Sequence, residues 1–191
     1  MALEQSTHFS VRRIAIVTAD AIVIGGGVIG LSCAWRASQQ GLQVTVLDPS
    51  PARGASWVAA GMLAPVTEAN FGEEGLTRLL VEAAGRWPDF AAELGDDVGY
   101  HRCGTVVVAA DASDRAVVDE LLEFQLSLGL CAERLTSSGC RQLVPALAPG
   151  VRGGAHVPGD HQVDNRRLLD ALLEACRVAG VRMVERSAVA L

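Results

Sequence analysis

Hydrophobic and polar positions change period twice between Asp20 and Asp48, where the chain reads DAIVIGGGVIGLSCAWRASQQGLQVTVLD. The β-branched run at 21–25 predicts a buried strand. From 28 to 40 the spacing of Ile29, Cys33, Ala34 and Ala37 is helical, and Gly41 supplies the stop. Residues 43–47 form a second apolar run that closes on Asp48. Strand, glycine turn, helix and strand make a βαβ unit, whose crossover is right-handed.

Further along, 49–65 reads as a loop rich in Pro, Gly, Ala and Ser. The spacing of Leu79, Leu80, Ala83 and Trp87 predicts one amphipathic helix over 77–94, and 104–110 is a strand. A long helix is expected over 111–130, with Val117, Leu121, Phe124 and Leu128 in register. Ser137 or Ser138 caps a short helix ending near Pro145, and 150–158 is extended. Asp164 is the expected cap of a helix over 165–179 that buries Leu168, Leu172, Cys176 and Ala179 and stops at Gly180. Strands are expected at 181–184 and 187–191. The sequence has no internal repeat. Its periodicity breaks off inside a βα pattern, so the chain is expected to be incomplete relative to its fold.

Composition narrows the class. Half of the 191 residues are hydrophobic and 20% are charged, enough apolar content for a packed core. The net charge is −6 with no basic cluster, which argues against nucleic acid and anionic membrane surfaces as partners. All 16 basic residues are arginine, so lysine Schiff-base chemistry and a phosphate-loop lysine are excluded within this chain. The five cysteines form no C-x-x-C pair and stand at no metal spacing with histidine; they read as reduced, mostly core thiols of a cytoplasmic protein. Arg12-Arg13 before an apolar run imitates a twin-arginine export signal, but Asp20 interrupts that run and cleavage beyond it would remove the first strand. Residues 1–18 are therefore expected to be an extension, with Val17 an alternative start. No apolar run reaches the length of a membrane span.

The turn fits G-x-G-x-x-G with Gly25, Gly27 and Gly30. The first glycine permits the sharp turn, the second lets a pyrophosphate approach, and the third lets helix pack on strand. The helix start offers free N–H groups and a dipole equivalent to about +0.5 charge. Asp48, closing the second strand, is placed to accept both hydroxyls of an adenosine ribose and to repel a 2′-phosphate. With strand, helix, second strand and acid all present, a dinucleotide site is expected. The motif does not choose between FAD and NAD. The following segment RGASWVAAGMLAP is small and glycine-punctuated, suited to run beside a planar ring, yet Trp57, Val58, Met62 and Leu63 make it too apolar for a solvated linker.

Together, the glycine unit, GASWVAAGMLAP and the later LTSSGCRQLVPALAPGVRGGAHVPGDHQVDNRRLLDALLEACRVAGVRMVERSAV resemble the amino-terminal half of the D-amino-acid oxidase-type flavoproteins. Within that family the resemblance is to the glycine oxidases of thiamine biosynthesis, and AAGML with HQVDNRRLL is its more specific part. It implies an α/β, Rossmann-like FAD-binding domain with part of a mixed α+β substrate domain. Residues 19–75 would begin the FAD domain, 76–160 belong to the substrate domain, and 161–191 return to the first. The resemblance places FAD at Gly25, Gly27, Val28, Ile29 and Gly30, with Asp48, where the family usually has Glu, at the ribose. Ala55 and Ser56 would lie by the pyrophosphate, Ala60, Gly61 and Met62 by the flavin, and Val189 by the adenine.

The activity implied is oxidation of glycine or another small amino acid or amine to an imine, then to 2-oxo acid and ammonia, with release of hydrogen peroxide. The family's carboxylate-binding arginine and aromatic pocket lie in its other half, so no residue here is given a catalytic role. Assembly into a homo-oligomer stays open. Two other functions are an NAD-linked dehydrogenase on the same βαβ unit and a nucleotide-binding remnant without turnover. His101, His156 and His161 lack a partnered acid at informative spacing; Glu73-Glu74 and Asp96-Asp97 read as solvated turn carboxylates, and Arg166-Arg167 as facing solvent or a carboxylate.

Overall fold

The computed structural model describes residues 18–95 and 98–188. In chain order, β1 (Ala21–Ile24), α1 (Val28–Gln39) and β2 (Val44–Leu47) lead to a one-turn helix α2 (Ala55–Val58) and a short strand β3 (Met62–Leu63). Next come α3 (Glu74–Gly85), α4 (Trp87–Leu94), β4 (Thr105–Val108), α5 (Ala112–Ser127), β5 (Glu133–Leu135), α6 (Ser137–Leu143) and β6 (Gly154–Val157). β7 (His161–Gln162), α7 (Asn165–Val178) and β8 (Arg182–Val184) follow. The result is the expected α/β architecture, in three sheets. β1, β2 and β8 are parallel with β2 in the centre, β3 and β7 form an antiparallel pair, and β6 lies between β4 and β5 in an antiparallel sheet.

Strand alternation explains the first core. Val23 of β1 and Val44 and Val46 of β2 turn toward α1 and α7, which bury Leu31, Ala34 and Trp35 from one helix and Leu168, Leu169, Leu172 and Cys176 from the other. Burial of each large side chain is worth about 1.5–3 kcal/mol before entropy is counted. Cys176 donates its S–H to the Leu31 carbonyl at 3.4 Å, and burial pushes its thiol up to about 11, which keeps it protonated and unreactive at neutral pH. The other face of the sheet carries Ile22 and Ile24, exposed by 62% and 51%. A second core joins Val118 and Leu122 of α5 to Ala155 and Val157 of β6.

Several sequence expectations shift. The buried face of α1 holds Leu31, Ala34 and Trp35, whereas Ile29 and Cys33 point outward, because the helix must turn Gly30 toward the strand. The single helix expected over 77–94 begins at Glu74 and is two helices, broken at Arg86; Pro88 has no N–H for the ladder and fits only the first turn of α4. Leu79 and Leu80 are exposed, and Thr77 is the buried residue of α3. On α5 the buried face is Val118, Leu122 and Gln125, one residue along from the expected stripe, and Val117 is exposed. Thr136, not Ser137 or Ser138, caps α6 by accepting from Gly139 N at 3.1 Å. The loop expected over 49–65 contains α2 and β3. Residues 187–188 are not strand, and the rest of that predicted strand, like Asp96-Asp97, lies outside the described residues. Only Cys140 and Cys176 are core thiols; Cys33, Cys103 and Cys131 are exposed.

The α7 cap is where the sequence placed it. Asp164 Oδ1 accepts from Arg166 N at 3.0 Å and Arg167 N at 3.1 Å. The Arg167 amide, then the Arg166 amide and both guanidiniums, hold this carboxyl below its ordinary range against a smaller opposing effect of desolvation. A depressed folded-state value means the cap stabilises above the ordinary carboxylate range and is lost as pH falls through the lowered value. Asp164→Ala is expected to lower the melting temperature at pH 7 and to narrow that difference on acidification below the ordinary carboxylate range. Thermal melts of both proteins across that range check it.

Candidate functional site

The site begins at the turn between β1 and α1. Gly25 has φ +102°, a left-handed conformation that favours glycine, and its N–H donates to Leu47 O at 2.9 Å. A Cβ at Gly30 would sit 1.9 Å from Gly25 O, so only glycine lets α1 start this close to the strand. At Gly27, the N-cap of α1, a Cβ would come 3.1 Å from Ser56 Oγ. Ser56 in turn accepts from Val28 N at 3.1 Å, which ties the second-loop helix α2 to the first turn of α1. Helix starts leave N–H groups without intrahelical acceptors, and at α1 the first of them, on Val28, is taken by Ser56.

Asp48 is half-buried next to this turn. Its Oδ2 accepts from Gly26 N and its Oδ1 from Ser50 N, both at 2.7 Å. Each carboxylate oxygen retains a second lone pair for a hydroxyl donor. The acid thus also builds the turn, a role its position alone did not reveal. Ala52, with φ +60° and its N–H on Gly26 O at 2.8 Å, closes the same corner.

Residues 55–62 are fixed by the start of α7. Asn165 Nδ2 donates to the carbonyls of Ser56 and Trp57, each at 2.8 Å. Val163 N donates to Gly61 O at 2.9 Å, and Met62 pairs with Gln162. Gly61 has φ +76°, and a Cβ there would lie 2.0 Å from Val163 O. The Trp57 ring is flanked by the guanidiniums of Arg53 at 4.0 Å and Arg166 at 5.1 Å, while Arg167 pairs with Asp164 at 3.5 Å.

These contacts open a cleft of about 520 Å³. Val28, Ala55, Ser56, Ala60, Gly61 and Met62 line it, six of the residues singled out in the sequence. Gly25, Gly27, Gly30 and Asp48 form the turn beside Val28; the Ile29 side chain points to solvent, 78% exposed, and Val189 lies outside the described residues. Sequence reasoning gave no cofactor role to Asn165, Trp87, Leu168, Leu169 and Glu68, which also line the cleft; Trp87 and Leu168 read as helix residues, and Asn165 stands within HQVDNRRLL. A depression of about 580 Å³ lies at the other end of the parallel sheet, near Leu42 and Gly180, away from the glycine turn.

The remaining candidates have local partners. His161 shares Nδ1 with the Asp160 carbonyl at 2.8 Å, His156 stands 4.0 Å from Glu133, and His101 forms a backbone bridge with Gln162. Glu73 accepts from Asn70 Nδ2 and Glu74 from Gly72 N, both at 3.2 Å, as turn carboxylates do. Among the described residues no cluster of His, Cys, Asp or Glu is arranged to hold a metal, and no helix is long and apolar enough to cross a membrane.

A parallel sheet, a G-x-G-x-x-G helix start and an acid closing the second strand define a dinucleotide-cofactor protein. Residues 20–191 match the DAO family of FAD-dependent oxidoreductases, and the chain belongs to that family. FAD, rather than NAD, is the cofactor of the class. The chain is 35% identical over 174 residues to the bifunctional protein ThiO/ThiG of Synechocystis sp., covering 88% of itself and 25% of that protein. It is 33% identical to the 4-methylaminobutanoate oxidase (formaldehyde-forming) of Paenarthrobacter nicotinovorans, covering 88% of itself and 20% of that enzyme. The crystal structure of glycine oxidase from Geobacillus kaustophilus superposes with a TM-score of 0.83 at 28% identity, over 87% of this chain and 46% of that one. The chain thus spans half or less of the length of these relatives.

The glycine contacts give a direct test. Gly30→Ala and Gly61→Ala each force a backbone shift and are expected to cost about 1–3 kcal/mol, with Gly61→Ala the more severe because its φ is also strained. Urea unfolding midpoints check both the direction and the order.

Proposed function

We propose that residues 18–188 form the cofactor-holding part of an FAD-dependent amino-acid oxidase acting on glycine or another small amine. The observation that carries this is the meeting of the α1 start with the Ala55–Met62 segment across one cleft, in a chain whose family is FAD-dependent. Gly25, Gly27, Val28, Ile29 and Gly30 would contact the pyrophosphate with Ala55 and Ser56 beside it, the Gly25 and Val28 N–H groups being already held by Leu47 O and Ser56 Oγ. Asp48 would hold the adenosine ribose, and Val189 the adenine. Ala60, Gly61 and Met62 would flank the flavin, where backbone without bulky side chains lets a planar ring approach.

The residues present fit the group. A Cβ at Gly27 would meet Ser56 Oγ and one at Gly30 the Gly25 carbonyl, so the glycines keep side chains out of the turn where a phosphate would rest. When bound, FAD supplies the acceptor for hydride from the substrate's α-carbon, with oxygen as the final oxidant and hydrogen peroxide as product. This chain's part is to orient the cofactor and exclude water along the apolar wall made by Leu168, Leu169 and Leu63. A place in thiamine biosynthesis and a cytoplasmic setting belong to the same proposal.

The boundaries at residues 75 and 160 are proposed as the passages between cofactor and substrate domains, although the cores cross them, with Ala91 and Val98 in the first and Val66 in the second. The exposed Ile22 and Ile24 face, with the half-length match to glycine oxidase, supports a need for further polypeptide before turnover. Purified chain supplied with FAD and glycine is expected to release no peroxide above a no-protein blank. Glycine-dependent peroxide from these 191 residues alone would contradict that.

A further inference from the structure

Immediately before β7 the chain buries a carboxylate completely. Asp160 Oδ1 accepts from Val66 N at 3.1 Å, and its Oδ2 accepts from Thr67 N at 2.8 Å and from the Thr67 hydroxyl. Among the described residues no cation pairs with it. A carboxylate held out of water without a counter-charge is costly, and here only its hydrogen bonds offset that cost.

What it holds is one helical turn that has no cap of its own. Glu68 N donates to Ala64 O at 3.0 Å, which puts Ala64 at the cap position and Pro65 first in the turn, where its missing N–H is no loss. The next two N–H groups, those of Val66 and Thr67, are the ones a cap side chain ordinarily satisfies, and alanine has no acceptor to offer. Asp160 satisfies them from 94 residues away. Gln125 of α5, also buried, donates to Val66 O at 2.9 Å, so both main-chain groups of Val66 are held by buried side chains of distant elements.

The segment before the turn is laid along the same stretch. Val163 N donates to Gly61 O at 2.9 Å, and Met62 and Leu63 pair with Gln162 and His161. The other edge of β7 is fixed by two backbone bonds between His101 and Gln162. A two-residue strand such as β3 is too short to be placed by its ladder alone. We propose that Asp160 is a positioning residue for the cofactor: by capping the 64–68 turn it fixes the Gly61–Leu63 edge against which the flavin would lie. This rests on the reading of the cleft as an FAD site and adds what sets the geometry of its flavin end.

Asp160→Asn keeps the size of the side chain but sets an N–H2 group against one of the two backbone donors. In the cofactor-free variant, the amides of Val66, Thr67 and Val163 are expected to exchange hydrogen about ten-fold faster, with those of α1 and α7 unchanged. In the FAD-loaded variant the visible circular dichroism of the flavin is expected to change while the dissociation constant for FAD does not. Thr67→Val, which keeps both backbone bonds and is the variant to read if Asp160→Asn does not fold, should change the flavin signal less and in the same direction. Thr67→Ser should restore it. Leu122→Ala, which opens the second core without touching the turn, should lower the melting temperature and leave the flavin signal alone. Unchanged exchange at those three amides, an unaltered flavin signal, or an equal change in Leu122→Ala overturns the positioning role while the FAD reading stands. Failure of the wild type to hold FAD overturns that reading, and the positioning role with it.

Discussion

The contact between Gly30 and the Gly25 carbonyl sets where α1 can lie. A methyl group at position 30 would sit 1.9 Å from that oxygen, so the absence of a side chain is what allows the helix to begin against the strand end. From this approach the rest of the cofactor side follows. Leu31, Ala34 and Trp35 are rotated into the core, Ile29 is rotated out, and Val28 lines the cleft. Asp48 and Ala52 then bind Gly26 from both sides and make the turn a rigid corner.

A second tether comes from far along the chain. The start of α7 holds the 55–62 segment by two Asn165 hydrogen bonds and one from Val163 to Gly61. Segments about a hundred residues apart thus share one wall, at the loop-closure cost that such non-local contacts carry. Of the intervening chain, α4 packs on the first core while α5 and β6 build a second, and the chain returns through Asp160 to brace the turn after β3. Both cores therefore contribute to the geometry of one cleft.

Local signals made the βαβ unit and α7 legible in the sequence. Glycine at 25 and 30, the β-branched run of 21–24 and the Asp164 cap each act within a few residues of themselves. The misses share a different cause. The α2–β3 segment is shaped by Asn165 and Val163, and β7 exists because Met62 and Leu63 pair with it. The one-residue shift on α5 puts Gln125 inside, where it serves a carbonyl of a distant turn that no helical period could announce.

Membership in the DAO family makes this an FAD-dependent oxidoreductase fold, and the cleft explains how its residues would receive that cofactor. The direct measurement is equilibrium titration of the purified, cofactor-free chain with FAD and, separately, with NADH. FAD is predicted to bind one to one with a shifted flavin spectrum, and NADH to bind far more weakly. Binding of NADH in preference to FAD, or of neither, would contradict the assignment of this cleft.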